Sequence, residues 1–129
     1  MVELSVQSGR RTDFLDVTGL VAQAVSDLGL DDAVVTVFNP HTTAAVTINE
    51  GADPDVVRDM DVALDKLIPW TDGYHHAEGN SAAHIKASLY GSSVQVIVQG
   101  GNLMLGTWQK IWFCDFDGPR QRRLWVSGG

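Results

Sequence analysis

Hydrophobic and polar positions alternate from the start of the chain: Glu3 and Ser5 separate Val2, Leu4 and Val6. A period of two puts successive side chains on opposite faces, so this segment predicts a half-buried strand. The period changes at Thr18. Val21, Val25 and Leu28 share one face of a helix that Thr18 would cap and Gly29 would close. Asp32 to Asn39 centres on the apolar run VVTVF and reads as a buried strand, broken by Asn39-Pro40. Thr42 to Asn49 predicts the next strand. Ala44, Val46 and Ile48 fall on one face, and Ala45, Thr47 and Asn49 on the other.

The second helix has the clearest start. Asp53 is a good N-cap, Pro54 suits the first helical position, and Val57, Met60, Leu64, Leu67 and Ile68 follow at helical spacing until Pro69. Trp70 to Asn80 is polar and irregular, and a short helix from about Ser81 to Tyr90 stops at Gly91. Val94, Val96 and Val98 alternate, Gly100-Gly101-Asn102 signals a hairpin, and Thr107–Phe116 and Arg122–Val126 are strand-like. Strands dominate with about three helices interleaved, which predicts an α+β fold with β-sandwich-like mixed or antiparallel sheets. No linker or repeat divides residues 1–129, so one domain is expected.

Composition narrows the class. Apolar residues make up 44% of the 129, enough for a core without staples. No apolar run reaches the roughly 18 residues of a membrane helix, and Met1–Val6 is not the basic-then-apolar start of a secretory signal. The single cysteine, Cys114, forms no internal disulfide, so cytoplasmic residence is expected. It reads as a buried inert thiol, because no histidine adjoins it in sequence. The net charge of −7 reads against non-specific nucleic-acid binding. Basic residues cluster at Arg10-Arg11 and at Arg120, Arg122 and Arg123, the second cluster after a turn that would let it face one spot.

The candidate chemistry lies in the histidines. His41 directly precedes a strand, His76 lies in the irregular segment, and His84 lies in the first turn of the short helix. Their separations match no local metal motif. Neutral imidazole is nevertheless a common metal ligand, and a helix N-terminus presents free N–H groups and a positive dipole end. With Ser81 as the cap, His84, Asn80 and Ser81 would cradle a phosphate. Glu50 ends its strand and would serve as a general base or orient an imidazole. In Gly106-Thr107-Trp108-Gln109 the bland reading is a strand start with a core Trp108. Asp115 and Asp117 read as residues of the Gly118-Pro119 turn.

Three blocks carry a resemblance across nearly the whole chain. They are His41-Thr42-Thr43-Ala44-Ala45 with Asn49-Glu50; Tyr74-His75-His76-Ala77-Glu78-Gly79-Asn80 with His84-Ile85-Lys86-Ala87-Ser88; and Gly101 with Gly106-Thr107-Trp108-Gln109-Lys110-Ile111. The sequence resembles the YjbQ-like family, whose members are often labelled secondary thiamine-phosphate synthase enzymes. The resemblance implies an α+β sandwich assembled as a homotrimer, with a site near a subunit interface lined by His41, His76 and His84. His75 is a neighbour of the matching position. The implied reaction joins a pyrimidine diphosphate to a thiazole phosphate and releases pyrophosphate. His41, Glu50 and His84 would be catalytic. Asn80, Ser81, Thr107, Gln109 and Arg120 would bind the phosphorylated substrate. His41, His76 and His84 would hold a divalent metal, zinc first and magnesium as the alternative. Two other readings compete with this one: a phosphate- or anion-binding module without turnover, and a metal-dependent phosphate-ester hydrolase with Glu50 as base.

Overall fold

The computed structural model describes all residues, 1–129. Eight strands and three helices follow in the order β1 (Val2–Gln7), β2 (Asp13–Asp16), α1 (Thr18–Asp27), β3 (Ala33–Phe38), β4 (Ala44–Glu50), α2 (Pro54–Leu67), α3 (Ser81–Tyr90), β5 (Ser93–Gln99), β6 (Asn102–Leu103), β7 (Gln109–Asp115) and β8 (Gln121–Gly128). They build a five-stranded sheet, β1-β8-β3-β5-β6, and a three-stranded sheet, β2-β7-β4. Every pairing is antiparallel. The α+β class with antiparallel sheets is therefore as expected.

Strand alternation sorts the side chains into two cores. Val35 and Val37 from β3, Val96 and Val98 from β5, and Leu124 and Val126 from β8 face Ala44, Val46, Ile111 and Phe113 of the smaller sheet. Helix α1 joins this interior through Val21, Ala24 and Val25, which are fully buried. Each such side chain contributes about 1.5–3 kcal/mol, roughly halved for the smaller Ala. The opposite face of the three-stranded sheet carries Ala45 and Cys114. Those two pack with Phe116 against Leu64 of α2, Ile68, and Ala82, Ala83 and Ala87 of α3. The run of small alanines lets α3 lie close on β4, and this closeness positions the histidines.

Local signals succeed where the deciding partner is local. Asp53 caps α2 by accepting a hydrogen bond from the Asp55 N–H at 2.9 Å, with Pro54 in the first turn. Gly100 and Gly101 take φ of 57° and 79° and turn β5 into β6, as a two-residue hairpin with both central residues at positive φ requires. Other expectations are corrected. The N-cap position of α1 is Val17, and the Thr18 hydroxyl instead accepts the Ile111 N–H at 2.8 Å, stitching α1 to β7. Residues 13–16 form a strand that the pattern does not announce. Trp108 is not a core residue: it sits in the turn before β7, 64% exposed.

Candidate functional site

The site begins at a clamp. Pro40 ends β3, and the buried Asn39 folds the following loop around its own side chain. Its Oδ1 accepts the His41 N–H at 3.0 Å, and its Nδ2 donates to the His41 carbonyl at 3.1 Å and to the Ala44 carbonyl. This fixes His41 beside β8. The His41 ring then accepts at Nε2 a hydrogen bond from the backbone N–H of Arg123, at 2.8 Å.

Behind His41 lies an ion pair. Asp115 is wholly buried and Arg122 nearly so. The guanidinium grips the carboxylate as a fork, Nε to Oδ2 at 3.0 Å and Nη2 to Oδ1 at 2.8 Å, and Nη2 also donates to Thr43 Oγ1 at 2.8 Å. Ser8 Oγ donates to Asp115 Oδ2 at 2.7 Å, and the Asp117 N–H donates to Oδ1 at 2.9 Å. Burial by itself raises the Asp115 pKa. The hydrogen bonds from Arg122, Ser8 and Asp117, with the Arg122 charge, outweigh it and hold the carboxyl below its usual range. Asp115 is thus an ionic core residue rather than a turn residue. The second basic cluster disperses: Arg122 turns inward, Arg120 reaches Asp117 at 3.3 Å, and Arg123 approaches Glu3 at 4.0 Å.

The His41 pKa is lowered. Burial is the largest cause, the Arg122 and Arg123 charges add to it, and the Arg123 hydrogen bond and Asp115 oppose it. Cys114 is buried and free, with its thiol pKa raised by burial, which agrees with an inert thiol.

Helix α3 supplies the other imidazoles. Its N-cap is Asn80 rather than Ser81, so His84 is the fourth residue of the helix. Asn80 makes no capping bond. Its Nδ2 donates to Asp117 Oδ2 at 2.9 Å, and its Oδ1 is buried without a partner. Asp117 thereby gathers Asn80 and Arg120 at one carboxylate. Ser81 and Ala82, the first two residues of the helix, have N–H groups with no backbone acceptor.

His84 is the shared wall of two hollows. One, about 510 Å³, is lined by Tyr74, His75, His76 and Ser81. The other, about 490 Å³, is lined by His41, Thr42, Ser88 and Ser92. The His76 and His84 rings meet edge to face with centroids 5.4 Å apart. The structure therefore brings His41, His76, His84 and Ser81 to a strip of two hollows that meet at His84, whereas Asn80 and Arg120 line neither hollow and are joined to each other through Asp117. Glu50, Thr107 and Gln109 are elsewhere. Glu50 pairs with Gln109 at the far end of β4, six residues beyond Ala44, or about 20 Å at the usual rise of a strand. Gln109 Oε1 accepts the Gly106 N–H at 2.8 Å.

The chain matches the family model described as "UPF0047 protein YjbQ-like" over residues 2–128. It belongs to that family. It is 44% identical over 125 residues to UPF0047 protein YugU of Bacillus subtilis, covering 96% of this chain and 95% of that one. It is 42% identical over 127 residues to UPF0047 protein MJ1081 of Methanocaldococcus jannaschii, covering 98% and 92%. Among solved structures it is similar to an uncharacterized conserved protein of the YjbQ/UPF0047 family from Clostridium acetobutylicum, with TM-score 0.97, 53% identity and 100% of both chains covered. The conserved hypothetical protein TT1486 from Thermus thermophilus gives TM-score 0.92 at 38% identity, with 98% of each chain covered.

These observations correct two expectations. Thiamine-phosphate synthesis falls, and with it the transferase reading. Two antiparallel sheets are not the eight-stranded parallel barrel of thiamine-phosphate synthase, and these relatives are described by family alone. The divalent metal falls too, zinc or magnesium: no three His, Cys, Asp or Glu side chains converge to hold an ion. The physical reason lies in His41. Its Nε2 lone pair is taken by the Arg123 N–H, and two guanidinium charges stand next to the ring. With the metal goes the metal-dependent hydrolase. No helix is long and apolar enough to cross a membrane.

Proposed function

We propose that this protein captures a small phosphorylated or similarly multi-anionic metabolite on the histidine strip, without turning it over. One observation carries the reading: His84 joins the two hollows, so His41, His84 and His76 line a single surface at the start of α3. Imidazole N–H groups, the Ser81 hydroxyl and backbone N–H, and the Arg120 guanidinium are all donors suited to phosphate oxygens. The binding set is His41, His76, Ser81, His84 and Arg120, with Asn80 acting through Asp117. Glu50, Thr107 and Gln109 stay outside it.

Calorimetry with pyrophosphate tests the reading. The wild type takes up the anion with a defined stoichiometry, and His84→Ala loses at least tenfold in affinity. Equal binding by both proteins, or none by the wild type, overturns it. Release of phosphate from a panel of phosphate esters by metal-free protein would replace capture by hydrolysis.

The assembly proposed is a homotrimer. The outer face of the five-stranded sheet supports it, since Val34, Phe38 and Ile97 are 49%, 39% and 62% exposed in the single chain. A monomer mass by light scattering at micromolar concentration would end that proposal. The cytoplasm is the compartment proposed, on the ground of the lone unpaired cysteine.

A further inference from the structure

The β3–β8 ladder ends where Pro40 stops β3. Phe38 pairs with Trp125, so the next donor that β8 directs toward β3, the Arg123 N–H, has no strand acceptor opposite it. The site is exposed, so water could serve this donor, but a side chain serves it instead. His41 supplies the missing acceptor: its Nε2 stands 2.8 Å from the Arg123 nitrogen. A backbone N–H only donates, so Nε2 must present its lone pair. The ring proton is then forced onto Nδ1. A second proton at Nε2 would set N–H against N–H, and the ladder gap would reopen.

We infer that His41 is a ring of fixed tautomer, neutral, with its proton on Nδ1, and that it serves the strip as a hydrogen-bond donor to an anion oxygen. Asn39 is its positioning residue. The Asn39 side chain holds the His41 N–H and carbonyl and the Ala44 carbonyl, and so sets the ring's reach to β8. The groups facing the ring are Arg122 and Arg123 from β8, Asp115 from β7 and, across the hollow, His84 from α3. The two guanidinium charges favour the neutral form. The role excludes His41 as a base, because the lone pair a base would use is occupied. The ligand contact rests on the anion-capture reading; the tautomer does not.

Long-range ¹H–¹⁵N correlation spectra of the histidine rings in the full chain test the inference. Signals are assigned by their loss in His41→Gln, His76→Gln and His84→Gln, and followed over a pH titration with and without pyrophosphate. The ¹⁵N frequencies of a fixed tautomer are widely split and those of imidazolium are close together. The expected result is a split pair for His41 with the proton on Nδ1, unchanged as pH passes the ordinary imidazole value of about 6.5. Asn39→Ala, which frees the loop, moves His41 toward averaged, titrating signals. Pyrophosphate shifts the Nδ1 proton. A His41 signal with the proton on Nε2, or one that titrates as a free imidazole, overturns the tautomer assignment. Pyrophosphate shifts at His76 and His84 but not at His41 overturn only the donor role. No shift at any of the three rings overturns the capture reading, and the donor role with it, while the tautomer is read from the ligand-free spectrum.

Discussion

The two ends of the three-stranded sheet are finished differently. At the end where β7 leaves the sheet, polar groups are tied to one another: Asp115 to Arg122, Ser8 and the Asp117 N–H, Arg122 to Thr43, and His41 to Arg123. At the opposite end, the Glu50 Oε2 is buried with no hydrogen-bond partner, the Gln109 side chain bonds only within its own turn, and Trp108 stands in solvent. Both ends carry residues of the family motifs. The first holds the His41 ring in a fixed direction before any ligand arrives, through Asn39 and Arg123, and such preorganisation lowers the ordering cost of binding. The difference argues that the tied end, with α3 beside it, is where this chain by itself recognises a ligand.

The largest expected effect comes from breaking the tied end. Arg122→Met leaves the Asp115 carboxylate buried and unpaired, and should cost about 3–5 kcal/mol in a urea unfolding curve. Asn39→Ala removes the clamp and should cost about 1–3 kcal/mol by the same measurement. Acid sharpens the comparison. The Asp115 pKa lies below its unfolded value of about 3.9, so its stabilisation is complete above about pH 4 and is lost as pH falls through the lower folded value. Asp115→Asn should flatten that acid slope as well as lower stability overall. His41 acts in the same direction at higher pH. Its folded pKa is depressed, so the unfolded chain takes up the proton first and stability begins to decline as pH drops below about 6.5. His41→Gln should remove this component, read as the change in urea midpoint with pH. At the loosely finished end, Glu50→Gln breaks no side-chain hydrogen bond or ion pair and should lower stability by no more than about 1 kcal/mol. A large loss there would erase the contrast.

Much of the fold was legible because its signals are local. Asp53-Pro54 starts α2 with atoms two residues apart, and Gly100-Gly101 shapes its own hairpin. Strand β2 was hidden because four residues are too few to show a period, and its reason for being extended is β7, about a hundred residues later. Asn80 displaced Ser81 as the cap position of α3, and its amide is recruited by Asp117, 37 residues further on. The histidine strip was only partly readable. Sequence placed the rings at element boundaries, but it carries no information on where each lone pair points. The His41 lone pair goes to Arg123, and that contact overturned the metal. The ionic pair did leave a signal. Ile111 and Phe113 face the sandwich core, so Asp115 shares their parity on β7, and Arg122 shares that of Leu124 and Val126 on β8. Two opposite charges at inward positions predict each other. Reading Asp115 as part of the Gly118-Pro119 turn concealed it.

Calorimetric titration of pyrophosphate into His84→Ala and Glu50→Gln, beside the wild type, tests most directly whether the tied end is the recognition site. The account predicts that Glu50→Gln binds within a factor of two of wild type and that His84→Ala loses at least tenfold, equivalent to about 1.4 kcal/mol. Loss of binding in Glu50→Gln with full binding in His84→Ala would contradict it, and would move the site to the other end of the sheet.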